Sequence, residues 1–388
     1  MVRLRRVLLR LLLIAVLVLT GCESGFHEYI PQSSTPKAPG TGSQPRSGPS
    51  AVRTPSAAGH VAISGTSLTL NGQPWWPIGI NAYQLGTNWN INAGCGAQVD
   101  LNEFFSRLPP HSLVRFNAYS SFALNKHTGM MDFTALDRVF DTANRYQQLL
   151  LPVLTGDEGG CEDDRVKEYP WYASEWRTYT GPGVPISFGD WLDTAVKRWG
   201  SEPSVIGWTT VGEPEPSICP PGHCHWERRS CPTDSPQVLR KFFTDTGARI
   251  HELAPGALVF SGRVGGGQCG SAGEDFSYTE ASPGIDVLEY HDYYPATSLP
   301  GDSVSGLLRR IAEAHALNKP LVVAEININA GSCLPLNARY RIITTAIANQ
   351  RTEGTAGALF WAFVPDPRYQ ECTFDIGYND PLFAKVGR

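Results

Sequence analysis

Lys319-Pro320-Leu321-Val322-Val323-Ala324-Glu325 leaves a polar turn, runs through four apolar residues and stops on a carboxylate. A short unbroken apolar run fits a strand buried on both faces, as in a parallel sheet covered by helices. A carboxylate directly behind it is costly to leave without a partner, so Glu325 needs a specific reason to stand there. Trp208-Thr209-Thr210-Val211-Gly212-Glu213-Pro214 repeats the pattern, with Glu213 at the end of a second buried run.

Working outward, these two runs span Leu321 to Ala324 and Val205 to Val211. Six more of the same kind lie at Trp76 to Ala82, Leu113 to Ala118, Leu149 to Leu154, Leu258 to Ser261, Val287 to Tyr290 and Ala358 to Ala362. Between them come amphipathic stretches with helical period: Leu136 to Gln147, Trp191 to Trp199, Val238 to Leu253, Leu307 to Leu317 and Ala338 to Asn349. Weaker helical signals sit around Leu101 to Leu108 and near Phe276. Strand and helix alternating eight times predict an α/β fold of the (β/α)8 TIM-barrel type. Ile63 to Leu70 with the turn Asn71-Gly72 predicts a short β-hairpin that caps the barrel bottom. Active groups of such barrels sit at the carboxyl ends of the strands, which puts both Glu213 and Glu325 on the functional rim.

The first residues have a different character. Arg3, Arg5, Arg6 and Arg10 precede the apolar run Leu11 to Leu19, which is too short to span a bilayer and has the length of a signal-peptide core. Leu19-Thr20-Gly21-Cys22 resembles the lipobox of bacterial lipoproteins, which implies a lipid on Cys22 and an extracytoplasmic protein anchored to the cell membrane. The stretch that follows, as in Pro31-Gln32-Ser33-Ser34-Thr35-Pro36, has almost no periodic apolar residues and cannot offset its chain entropy by burial. The expected division is a lipoprotein signal peptide over 1–21, a lipid-anchored Ser/Pro/Gly-rich linker over 22–60, and the barrel over 61–388. The last comprises roughly 328 residues, a size that TIM barrels with long loops reach.

Of the nine cysteines, eight remain beside Cys22, an even number that suits disulfides in an oxidising compartment. All eight follow strands, so they are expected to staple the loops of the rim. Loops seven and eight are neighbours, which favours Cys333 with Cys372. Cys219, Cys224 and Cys231 with His223 and His225 fit no zinc spacing well. The net charge of −5 with both signs interspersed, and no Lys/Arg cluster beyond the signal region, argues against nucleic acid as a partner.

Two glutamates on opposite sides of one barrel mouth are what glycoside hydrolysis requires: one protonates the leaving oxygen while the other attacks or activates water. The ordered pieces Leu70-Asn71-Gly72-Gln73-Pro74, Ile78-Gly79-Ile80-Asn81-Ala82-Tyr83, Val114-Arg115-Phe116, Ile206-Gly207-Trp208 through Glu213-Pro214, His291-Asp292-Tyr293, Lys319-Pro320 through Glu325, and Trp361 extend this reading over the whole barrel. Together they resemble the clan A glycoside hydrolases, particularly family 5, which includes cellulases and β-mannanases. The resemblance implies a retaining enzyme with Glu213 as acid/base and Glu325 as nucleophile, acting on a β-glucan, a mannan or a cell-envelope glycan.

Arg115 is expected to point inward and hold the nucleophile ionised, with Glu213 beginning the reaction protonated, its pKa raised by the nearby Glu325 charge and by burial once sugar fills the groove. His291 and Tyr293 end the sixth strand within reach of both carboxylates. Asn81 is taken as a substrate-binding residue, and Trp361 as a platform for a sugar ring. No cofactor or metal is expected, and the chain is read as a monomer.

The chain departs from the family pattern at Gly212, where the relatives have an Asn that contacts the sugar 2-hydroxyl. The family's histidine near the third strand end likewise has no counterpart in Leu154-Thr155-Gly156-Asp157. Asn81, Asn117 and Asn327, all near strand ends, are candidates for the missing contact. Two other readings stay open: a catalytically weak or inactive barrel that binds glycan, and a metal-dependent hydrolase using Asp157, Glu158, Asp163, Asp164 and His291. The second lacks any two-ligand helix motif.

Overall fold

The computed structural model describes residues 59–222 and 224–388. The expected signal peptide, Cys22 and the linker up to residue 58 lie outside the described residues, as does His223. The described chain opens with β1 (Val61–Ser64), β2 (Ser67–Leu70) and β3 (Gln73–Trp75) as an antiparallel meander. Asn71 and Gly72 turn β2 into β3 with φ of 53° and 76°, the positive values that a tight two-residue hairpin turn requires. A further turn at Gly65 splits the stretch before it, so three strands stand where one hairpin was expected. Val61 and Leu68 pack against Leu113, Leu149, Leu258, Val287 and Ala356 at the amino ends of the barrel strands, which plugs the bottom.

All eight expected barrel strands form: β4 (Ile78–Asn81), β5 (Leu113–Asn117), β6 (Leu149–Val153), β7 (Gly207–Thr209), β8 (Leu258–Phe260), β9 (Leu288–Asp292), β10 (Leu321–Ile326) and β12 (Ala358–Phe360). They pair in parallel in the order β8-β7-β6-β5-β4-β12-β10-β9, and a bridge from Phe260 to Val287 joins the two ends of the sheet. Every residue of β6 and β10 is buried, as their unbroken apolar runs require. Alternation along β5 sends Val114 and Phe116 outward to the helices and Leu113 inward, so Arg115 and Asn117 share the inner face.

The covering helices among the described residues are α1 (Leu101–Ser106), α2 (Thr134–Arg145), α3 (Tyr169–Ala173), α4 (Phe188–Trp199), α5 (Ser235–Leu253), α6 (Asp275–Glu280), α7 (Leu307–Ala316) and α8 (Leu336–Glu353). α3, a single turn inside the loop after β6, is too short to leave a period in the sequence. α4 shows how the layer is built. Ser187 caps it by accepting from the Asp190 N–H at 3.2 Å, and Phe188, Trp191, Leu192, Ala195, Val196 and Trp199 recur at helical spacing on its buried face. Trp199 stacks on Phe140 of α2 with ring centroids 4.8 Å apart.

Four disulfides join loops on the rim side: Cys95–Cys161, Cys219–Cys224, Cys231–Cys269 and Cys333–Cys372. The expected pair Cys333–Cys372 has its Cα atoms 5.2 Å apart and sits beside β11 (Ala330–Gly331) and β13 (Cys372–Thr373), which pair antiparallel. Cys219, Cys224 and Cys231 are committed to disulfides, which removes the thiolates a zinc site would need.

Candidate active site

Glu325 is carried by β10 itself. The register of β10 on β9 shifts between Val323 and Glu325, an irregularity of the kind that re-aims a side chain at the mouth of a barrel. Its Oε1 accepts from Arg115 Nη1 at 2.7 Å, and its Oε2 accepts from the Tyr293 hydroxyl. Arg115 is itself oriented by Asn81, whose Oδ1 accepts from Nη1 at 3.0 Å. The Asn81 amide donates to the carbonyls of Ala324 at 2.8 Å and Phe360 at 3.2 Å, so this buried side chain holds the arginine and has no donor left for a sugar.

Glu213 reaches the same space from a loop. Its backbone lies in the left-handed region at φ 61°, a conformation that costs a non-glycine residue about 1–3 kcal/mol and recurs at functional sites. The loop is held by hydrogen bonds from Gly212 N to Thr155 O and from Glu213 N to Gly262 O, both 2.8 Å. Gly262 permits the second: a Cβ there would lie 1.9 Å from the Val211 carbonyl oxygen.

Between the two carboxylates stands His291, its side chain fully buried. Nδ1 is 2.6 Å from Glu213 Oε1 and 3.5 Å from Glu325 Oε2. One carboxylate oxygen of each glutamate and one imidazole nitrogen all lie within 4.8 Å of one another.

Without sugar in the groove, the proton balance of the site is governed by His291. Burial lowers the affinity of His291 for a proton, but the surrounding Glu325, Glu213 and Glu289 outweigh it and push the imidazole up to about 9. Burial raises Glu213, yet the hydrogen bond and charge of His291, with Arg115 and Arg229 behind, hold it below the ordinary glutamate value. In the free enzyme the transferable proton therefore rests on His291 rather than on Glu213, across a 2.6 Å hydrogen bond. Burial lifts Glu325 above its ordinary value against the pull of His291 and Arg115. Tyr293, pushed far up by burial and the Glu325 charge, remains a hydroxyl donor.

Glu289 was missed in the sequence. It lies on β9 two residues before His291, hence on the same inward face, and is fully buried. Its Oε1 accepts from Thr209 Oγ1 at 3.0 Å, while its Oε2 stands 3.7 Å from Arg115 Nη2 and 3.9 Å from His291 Nε2. A charged residue at inward parity within Val287-Leu288-Glu289-Tyr290 was the available signal.

At Gly212 a Cβ would meet Val153 Cγ1 at 3.5 Å and Arg115 Nη2 at 3.8 Å, ordinary contacts, so the backbone has room for a side chain that the sequence leaves out. Asn327 is committed: its amide donates to the carbonyls of Trp361 and Phe374, and its Oδ1 accepts from the Ile328 N–H. Asn117, in register with Val153 at the end of β5, is half-buried and bonds its side-chain amide to no protein group among the described residues. Trp361 is half-buried with its ring stacked on Tyr83, centroids 5.8 Å apart.

The residues of the metal-hydrolase reading do not gather around His291. Asp157 accepts from Tyr172 at 2.5 Å and lies 3.6 Å from Arg229, Glu158 pairs with Arg229, and Asp163 accepts from Tyr179 at 2.7 Å.

No protein-family model matches the chain. It is 23% identical over 358 aligned residues to a mannan endo-1,4-β-mannosidase of Arabidopsis thaliana, covering 79% of this chain and 78% of that protein. Its fold is similar to that of an endo-1,4-β-mannanase from Rhizomucor miehei, with a TM-score of 0.59 and 18% identity over 84% of this chain and 97% of the other. A glycoside hydrolase family 5 mannosidase from the same organism gives a TM-score of 0.55 and 16% identity over 84% and 95%.

Proposed function

We propose that this protein is a retaining glycoside hydrolase that cleaves a mannan-type β-glycan, with Glu325 as nucleophile and Glu213 as acid/base. The observation that supports the reading is the approach of the two carboxylates: one oxygen of each lies within 4.8 Å of the other, which favours the close pair of a retaining site over the carboxyl groups about 6.5–9.5 Å apart that inversion uses. The choice of mannan follows the activity named for the relatives.

In the first step Glu325 attacks the anomeric carbon as the bond to the leaving oxygen breaks. That oxygen takes a proton from Glu213, which draws it from His291 through the bond that joins them, and the pair is left as a carboxylate and a neutral imidazole. In the second step water attacks the glycosyl-enzyme ester, giving its proton to Glu213 and releasing Glu325. Arg115 and Tyr293 disperse the negative charge of Glu325 before attack and after release.

The deciding experiment is hydrolysis of mannan and of aryl β-mannosides followed by NMR at the anomeric centre. Retained configuration together with loss of turnover in Glu325→Ala supports the reading. Inverted product overturns the mechanism, and full activity in Glu325→Ala overturns the site.

We further propose that Cys22 is lipidated and tethers the barrel outside the cytoplasm. Support comes from Leu19-Thr20-Gly21-Cys22 and from the pairing of the other eight cysteines as disulfides, which persist in oxidising compartments. Cys22→Ser should release the protein from membranes and abolish incorporation of labelled fatty acid. Unchanged membrane retention would refute the anchor.

A further inference from the structure

The proposed chemistry uses Glu213, Glu325, Arg115, His291 and Tyr293, and leaves unassigned a buried carboxylate that stands directly beside two of them. Glu289 is fully enclosed in the barrel, one inward position below His291. Among the described residues its carboxylate accepts from the Thr209 hydroxyl and stands beside the two cations that serve the mouth, Arg115 and His291, while Oε2 has no hydrogen-bond partner. A buried carboxylate without a full set of partners is costly, so its presence points to a task beyond packing. Thr209 alone would be satisfied by a neutral acceptor.

We propose that Glu289 is a positioning residue that keeps His291 loaded with the proton destined for Glu213, by placing a second carboxylate on the far nitrogen of the imidazole. The argument is geometric and rests on the glycosidase reading above. Nδ1 is bonded to Glu213 at 2.6 Å, while Nε2 makes no hydrogen bond but stands 3.9 Å from Glu289 Oε2, near enough for the carboxylate's charge to favour the doubly protonated ring. The other charged or titratable groups around the imidazole are Glu325 of β10 at 3.5 Å, Tyr293 just beyond β9, and Arg115 of β5, which reaches across the barrel toward Glu289. The cluster carries one net negative charge, with Arg115 and an imidazolium opposing Glu289, Glu325 and Glu213. Moving one proton from Nδ1 to Glu213 leaves the net charge unchanged, so the acid is loaded without taking a proton from solvent.

The sign of the test is fixed by this charge count. Glu289→Gln removes one negative charge and keeps an oxygen for Thr209, which weakens proton binding by every remaining group. Both limbs of the kcat/KM profile on an activated aryl glycoside should therefore move to lower pH, by on the order of one unit. At a pH above the wild-type alkaline limb, activity should fall about tenfold more than at the optimum. A uniform loss with unmoved limbs in a folded variant would mean that Glu289 only packs, and would overturn the proposal. Should Glu289→Gln fail to fold, 15N NMR of labelled histidines in the intact protein decides, with His291 assigned from His291→Asn. A doubly protonated ring at pH 7 is expected, and a neutral ring overturns the proposal. Failure of the glycosidase reading shows separately, as turnover that survives in Glu325→Ala.

Discussion

The two halves of the barrel mouth are built on opposite plans. Glu325 belongs to a strand, is 6% exposed, and is bound by Arg115 and Tyr293 with His291 close by. Glu213 sits on a loop in a left-handed conformation, is 41% exposed, and has His291 as its near partner. The difference matches what the two proposed roles demand. A nucleophile works best as a fixed ion with its charge dispersed, whereas an acid/base must change protonation twice per turnover and touch both the leaving oxygen and the incoming water. The largest test of this asymmetry is Glu325→Ala, for which kcat/KM on every substrate should fall by about 10⁵-fold or more, leaving group notwithstanding. Steady-state rates on mannan and on an activated aryl mannoside, with circular dichroism to establish folding, check it. A leaving-group-dependent loss would mean that the halves have been assigned the wrong way round.

Glu213→Ala should behave in the complementary manner. Removal of a general acid costs about 10²–10⁴-fold where the leaving group needs a proton. The polymer should therefore suffer most, and an aryl glycoside with an acidic phenol should form its glycosyl-enzyme at a nearly unchanged rate. Azide should restore turnover of the aryl substrate and yield a glycosyl azide of retained configuration, because the space left open at this exposed position admits a small anion. Absence of rescue in a folded variant would count against the acid/base role.

The same contrast governs what was legible in the sequence. Strands with unbroken apolar runs, such as β6 and the first four residues of β10, declare themselves because burial on both faces leaves little place for polar residues, and together with mixed strands such as β5 and β9 they give the barrel. Glu325, closing such a run, is conspicuous for the same reason. What escaped depends on packing across the barrel. Asn81 was read as a sugar ligand, but its amide is held by two carbonyls from β10 and β12, elements far along the chain. Glu289 lay unremarked because only the register of β9 shows that it shares a face with His291. The part His291 plays in the proton balance could not be read because three carboxylates surround the ring, and no local stretch contains them all. The turn at Gly65 was missed since both flanking strands continue the same pattern.

Asn117 and Gly212 offer a smaller and sharper probe of the acid/base half. Gly212 leaves open the space above Val153 and beside Arg115, and Asn117, in register with Val153 on the inner face of β5, carries an amide with no partner among the described residues. Hydrogen bonds to the sugar 2-hydroxyl strengthen in the transition state, so a free amide in this layer is placed to supply one. Asn117→Ala is expected to lower kcat/KM by roughly 10–100-fold, about 1.4–2.7 kcal/mol of transition-state stabilisation. The loss should nearly vanish on a 2-deoxy substrate, which lacks the hydroxyl. An equal loss on both substrates would make Asn117 structural. Gly212→Asn should fold, since its Cβ meets only ordinary contacts, and its amide should recover part of the activity of Asn117→Ala in the double variant.

The smallest expected effect on chemistry concerns the nucleophile half, at the disulfide Cys333–Cys372. It joins the loops that follow β10 and β12, beside the short β11–β13 ladder. In the same region Asn327 bonds the carbonyls of Trp361 and Phe374, and the Phe374 ring meets Tyr293 edge-on at 5.2 Å. The disulfide thus supports Tyr293 only through Phe374, and Glu325 itself is held from within the barrel by Arg115. Replacing both cysteines by serine frees a loop of 39 residues in the unfolded chain, for which a loss of about 2–4 kcal/mol in stability is typical. Denaturant unfolding should show that loss in a cooperative transition. Rates on an aryl glycoside should stay within about threefold of wild type, because the Arg115–Glu325 pair survives and the loop bonds of Asn327 remain. A large fall in kcat with stability unchanged would place the rigidity of the nucleophile half in its loops rather than in the barrel, and the contrast between the two halves would then rest on the disulfide.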